Sequence, residues 1–96
     1  MSNIILHHNG VYNIYSTVSD NPLYEHGLTL EQLTEAIRWH GGQEAIDDLP
    51  RRLAHAHATG SSAPGETLAD CISCNCAGSE GEHLSVKEFI HVYLTL

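Results

Sequence analysis

Residues 28–42 (Leu-Thr-Leu-Glu-Gln-Leu-Thr-Glu-Ala-Ile-Arg-Trp-His-Gly-Gly) carry a start signal, an apolar stripe and a stop signal for one helix. Thr29 can cap the first turn, and Gln32 can reach back to close a capping box. Leu28 and Leu33 can meet across that turn as a hydrophobic staple. Leu30, Leu33 and Ile37, with Ala36 beside them, recur at helical spacing. Gly41-Gly42 can take the left-handed backbone that ends a helix. This stretch divides the chain: residues on its N-terminal side read as strand, and those on its C-terminal side as short helices. Trp39 falls off the centre of the stripe. It either seals the edge of the core, the preferred reading, or anchors a partner.

Upstream, Ile4–His8 and Val11–Val18 flank Asn9-Gly10, the strongest short signal for a β-hairpin. A two-residue loop pairs His8 with Val11, His7 with Tyr12 and Ile5 with Ile14. Ile5, Tyr12 and Ile14 then lie on one face, and Ile4, Leu6 and Tyr15 on the other. Both faces are apolar, so the pattern does not choose the inner one. One helical layer covers one face. The other is expected to stay exposed and to serve self-association or partner binding. Edges without charged residues add to that expectation. After the turn Ser19–Pro22, Leu23–His26 is long enough for a third strand.

Downstream, helices are expected at about 43–48 and, beyond a break at Pro50, at about 50–58. Thr59–Gly65 has loop composition. Glu66–Cys76 reads as a further helix with Leu68, Cys71 and Ile72 inward. Leu84-Ser85-Val86-Lys87-Glu88-Phe89 repeats the cap, box and staple of the first helix. The fold class is α+β. A single domain (1–96) is expected, with strands within about 3–26 and about four short helices within about 29–94. The helices pack against an antiparallel hairpin or three-strand meander.

Twelve acidic and four basic side chains give a formal net charge of −8. That surface repels nucleic acid and anionic membrane and draws a basic protein partner. No apolar run approaches the roughly 20 residues that span a bilayer, and no secretory leader is legible, so the expected location is the cytoplasm. Glu31, Glu35, Glu44, Asp47 and Asp48, with Trp39 and Tyr15, form the candidate partner-binding set. No nucleophile elbow, phosphate-cradling loop or dinucleotide fingerprint occurs, which argues against an enzyme.

Cys71-x2-Cys74-x-Cys76 with His83 is the sharpest chemical candidate. Three thiols and an imidazole can close a tetrahedral zinc site. On one helix, however, Cys76 points away from Cys71 and Cys74. The bland alternative is a buried Cys71 beside two ordinary thiols. The eight histidines read as surface or turn residues. Protonated below about pH 6, they would reduce the negative charge, weaken binding to a basic partner and favour self-association. Counting back from Glu88 as the last ligand of an EF-hand loop finds Ala77 and Gly81 where oxygen ligands belong, which excludes calcium.

In size, acidity, stand-alone architecture and lack of a catalytic motif, the chain resembles the small phage and mobile-element inhibitors of bacterial defence, such as anti-CRISPR proteins. The resemblance is to a class, without a shared motif, and transfers no residue role. It implies a cytoplasmic, non-enzymatic inhibitor that occupies a basic, nucleic-acid-binding surface of a defence complex. The alternatives are a zinc-stabilised module and a homodimeric regulator or adaptor paired through the N-terminal sheet.

Overall fold

The computed structural model describes residues 3–96. Strands β1 (Asn3–His8) and β2 (Val11–Ser16) form the hairpin in the expected register, with His8 opposite Val11, His7 opposite Tyr12 and Ile5 opposite Ile14. Asn9 and Gly10 both take positive φ, 49° and 78°, as a tight two-residue hairpin loop requires.

The third strand, β3, is Asn21–Pro22, earlier and shorter than the expected Leu23–His26. Asp20, at φ 54°, turns the chain sharply enough for pairing to begin at once. The Leu23 N–H still donates to Ile14. Beyond it, the Asn13 side chain donates to the carbonyls of Tyr24 and His26, and the chain bows away. It returns at Leu28, which exchanges two backbone bonds with Tyr12 (2.9 and 2.7 Å).

Helix α1 (Leu30–Thr59) opens with the Thr29–Gln32 capping box and ends at Gly60 in the left-handed conformation. It is bent at Gly42, with φ 68° and ψ −158°, a backbone region essentially reserved for glycine. Two arms result, 30–41 and 43–59. The break expected at Pro50 does not occur. Proline forfeits one intrahelical bond, but Leu49, Arg52 and Ala56 are buried around it and hold the arm in place.

The helix expected over 66–76 is a single turn, α2 (Leu68–Cys71), capped by a Thr67–Asp70 box. The physical reason is Asn75, which is fully buried. Its amide donates to the carbonyls of Ile72 and Leu84 and its oxygen accepts from the N–H groups of Ala77 and Leu84. Such side-chain bonds give the backbone an alternative to the helix. After a 3-10 turn at Ser79–Gly81, α3 (Val86–Tyr93) begins with the Ser85–Glu88 capping box. The architecture is therefore α+β, and the described residues form a three-stranded antiparallel sheet and three α-helices rather than about four.

Both faces of the hairpin are covered, contrary to expectation. Ile5, Tyr12 and Ile14 pack with Leu33, Ile37, Leu49 and Ala56 of α1. Ile4, Leu6 and Tyr15 pack on the opposite side with Leu68, Ile72, Phe89 and Leu94. Each edge is also engaged. Along β1, Gly60 accepts from His7, and Ser62 bonds Ile5 through both its N–H and its hydroxyl. Along β2, β3 and Leu28 take the partners. Among the described residues both hairpin faces are thus covered, which removes the motive for pairing through the sheet. The signal missed was the second run of capped apolar segments, 67–72 and 84–94, which is enough for a second layer.

Candidate functional site

The first arm of α1 buries Leu33, Ala36 and Ile37 and turns Glu31, Glu35, Arg38 and Trp39 to solvent. Glu31, Glu35 and Trp39 are spaced four apart. Each four-residue step advances only about 40° round a helix, so the three form one outward row. Trp39 is 85% exposed, whereas the tyrosines and Phe89 are all buried or half-buried. The preference for Trp39 at the core edge is thus overturned. The sheet-facing stripe is complete without it, and position 39 points away.

The remaining partner-binding candidates separate. Glu44 and Asp47 are exposed on the second arm, and Asp47 accepts from Gln43 at 2.9 Å. Asp48 is engaged: Arg51 grips both its oxygens at 2.8 and 2.9 Å and holds it below the usual carboxylate range. Arg38 pairs with Glu35 through one nitrogen and one oxygen. Three of the four basic residues lie on α1, against five acidic ones. Most of the uncompensated charge comes from elsewhere, at Asp20, Glu25, Glu66, Asp70, Glu80, Glu82 and Glu88, with Lys87 the one opposing cation. The acidic field therefore belongs to the whole surface, and the α1 row supplies shape within it. Tyr15 leaves the set altogether. It is fully buried beside Phe89, ring centres 6.1 Å apart, and its hydroxyl has no hydrogen-bond partner among the described residues. Burial holds that hydroxyl above the ordinary tyrosine value.

The cysteines and His83 are not drawn together. Cys71 is half-buried, its sulfur 2.8 Å from the Ser61 hydroxyl and 3.2 Å from a Glu66 oxygen. Burial pushes its thiol up to about 11, which keeps it protonated at neutral pH. Cys74 and His83 are exposed. The backbone N–H of Cys76 is tied to Asp20 at 2.8 Å. Among the described residues no group of three or more His, Cys, Asp or Glu side chains could hold a metal ion. The expected tetrahedral set presupposed a helix ending near Cys74. Instead α2 closes at Cys71, and Cys74 and Cys76 lie in the turn and loop that follow.

A polar cluster that local spacing does not reveal joins β1, β2 and α1. The His7 and His57 rings meet at a tilt of 48° with centres 4.4 Å apart, and the Tyr12 ring lies 5.0 Å from His7. The Tyr12 hydroxyl shares a 2.7 Å hydrogen bond with His57 Nε2. The Gly10 N–H donates to His7 Nε2 at 3.0 Å, so that nitrogen must be unprotonated and the ring neutral. Partial burial, then His57, then His8, hold the His7 pKa below its ordinary 6.5. The unfolded chain therefore takes this proton first. Stability conferred by neutral His7 is full above about pH 6.5 and is lost as pH falls toward the lowered folded value. The melting temperature is expected to drop between pH 7.5 and 5, and less so in His7→Phe. Equal slopes for the two proteins would exclude His7 as the source. The signal available in sequence was that His7 shares the α1-directed face with Tyr12 and Ile14.

Compared with protein-family models, curated proteins and solved structures, the chain matches none. None of its described helices is long and apolar enough to cross a membrane.

Proposed function

We propose that this chain is a non-catalytic protein-binding domain that inhibits by occupying a basic partner surface of the kind that ordinarily holds nucleic acid. The contact is the outward row Glu31–Glu35–Trp39, extended by Glu44 and Asp47. The exposure of Trp39 carries the reading: a solvated indole contributes little to the fold, while tryptophan is among the commonest energetic anchors of interfaces. The net charge of −8 adds long-range attraction to a cationic partner and speeds encounter. A bacterial defence effector, the target of the class this chain resembles, is the first partner to test.

Trp39→Ala should leave the melting temperature within measurement error, because an exposed side chain removes no packing. It should weaken binding by about thirtyfold or more, the equivalent of about 2 kcal/mol at a hot spot. Glu31→Lys with Glu35→Lys should slow association and flatten its salt dependence. A suitable measurement is surface plasmon resonance against purified nucleic-acid-binding effectors, with competing nucleic acid. Binding unchanged by Trp39→Ala, or uncompeted by nucleic acid, would refute the proposal.

A further inference from the structure

Arg52 is the one basic side chain withdrawn from solvent, at 7% exposure, and it has no carboxylate in contact. The ion pairs among the described residues are Arg38–Glu35 and Arg51–Asp48. A guanidinium has five N–H donors. Here one nitrogen, Nη2, donates to the Asn3 carbonyl at 3.1 Å. The only sealed, partnerless side-chain polar atoms among the described residues are the Tyr15 hydroxyl and His55 Nε2. The other Arg52 nitrogens therefore reach solvent. Arg52 lines a cleft of about 290 Å³ between the second arm of α1, the start of β1 and the loop after Gly60.

The walls of that cleft are chemically mixed. Ile4, Ala63 and Pro64 give apolar surface, and Arg51 and Ser62 join Arg52. The Ser62 oxygen already accepts from Ile5 at 2.8 Å, and its hydroxyl proton has no acceptor among the described residues, so it is a donor to spare. Asp48 also lines the cleft, but Arg51 occupies both its oxygens. Two cations against one anion leave a local charge of +1 on a strongly acidic chain. Burial without a counter-ion is unfavourable for a guanidinium and holds Arg52 below its ordinary range. Toward the bend of α1, Arg52 adjoins a second cleft lined by Glu44 and Asp48, which would repel an anion.

We infer that the cleft beside Ser62 is a binding site for a small aliphatic carboxylate, its two oxygens taken by the Arg52 fork and the Ser62 hydroxyl and its hydrocarbon tail laid on Ile4 and Pro64. A planar monoanion matches both the fork and the single surplus charge. A phosphate dianion would overshoot that charge beside Asp48. The site is separate from the Trp39 row and does not depend on the function proposed there.

The test is NMR titration of the isotope-labelled chain with sodium butyrate, and separately with inorganic phosphate, at constant ionic strength. Butyrate should give saturable shifts confined to the Arg52 Nε–H and the amides of Ser62 and Ala63, and phosphate should bind more weakly. Arg52→Lys, which keeps the charge and loses the fork, should weaken butyrate binding at least tenfold. Should that variant fold poorly, Arg51→Gln decides. Arg51 is exposed, and its removal frees Asp48 to repel the ligand, so binding should fall several-fold in a folded protein. Shifts that are diffuse or never saturate, phosphate binding as tight as butyrate, or full affinity in Arg51→Gln would each overturn the assignment.

Discussion

Replacing Phe89 with alanine is expected to destabilise the protein by about 3–5 kcal/mol, the usual cost of emptying a packed aromatic site. Phe89 is fully buried at the centre of the second layer. Its ring stands 6.1 Å from Tyr15 and 5.1 Å from Tyr93, and Ile4, Leu6, Leu68, Ile72 and Leu94 share the cluster. For a domain of this size each kcal/mol is worth roughly 4–8 °C in melting temperature, so the variant should be largely unfolded at moderate temperatures. Urea denaturation measures this directly. A loss below about 1 kcal/mol would mean that the α3 layer adds little to the fold, and that the hairpin and α1 stand by themselves.

Asn13→Asp should be of similar size although it changes no shape. The Asn13 amide donates to the carbonyls of Tyr93 (2.9 Å), Tyr24 (3.1 Å) and His26 (3.4 Å). Its oxygen accepts from the Ile14 N–H at 2.7 Å. One fully buried side chain thus ties the sheet to the 23–27 loop and to the end of α3. Aspartate would set a charge against three carbonyl oxygens in a dry site. That removes the donors and adds an unpaired buried anion, at about 3–5 kcal/mol. Because a protonated carboxyl can still donate once, the deficit should shrink as pH is lowered from 7 toward 4, opposite to the trend set by His7. A deficit independent of pH would indicate that the carboxyl is not ionised there or that the loop moves away.

What could be read from the residues beforehand was whatever depends on neighbours in sequence. Asn9-Gly10 sets the hairpin register because both positions need positive φ. The Thr29–Gln32 and Ser85–Glu88 boxes set helix starts because cap and partner lie three residues apart. Failures came where a distant group competes. Pro50 should end a helix, but burial of Leu49 and Ala56 on the sheet outweighs one missing bond. Glu66–Cys76 has helical composition, but Asn75 diverts the backbone toward Leu84. The candidate surface was half legible. Its carboxylates could be named, but the pairing of Asp48 with Arg51, the burial of Tyr15 and the exposure of Trp39 all depend on which way each element turns. His7 and His57 are fifty residues apart, and Arg52 and Ser62 belong to different elements, so neither association has a local signature.

The sandwiching of the hairpin bears on how the chain must be made. Residues 3–16 leave the ribosome with two greasy surfaces and two open hydrogen-bonding margins, and α1 can hide only one of those surfaces. The other waits for Phe89 and Leu94, which lie far along the chain from the hairpin. Until they emerge the nascent polypeptide is therefore adhesive, and disruption of the last turn of α3 would leave the folded molecule in that same condition. Loss of solubility on disruption of α3 is the consequence to expect, well before any loss of the α1 surface.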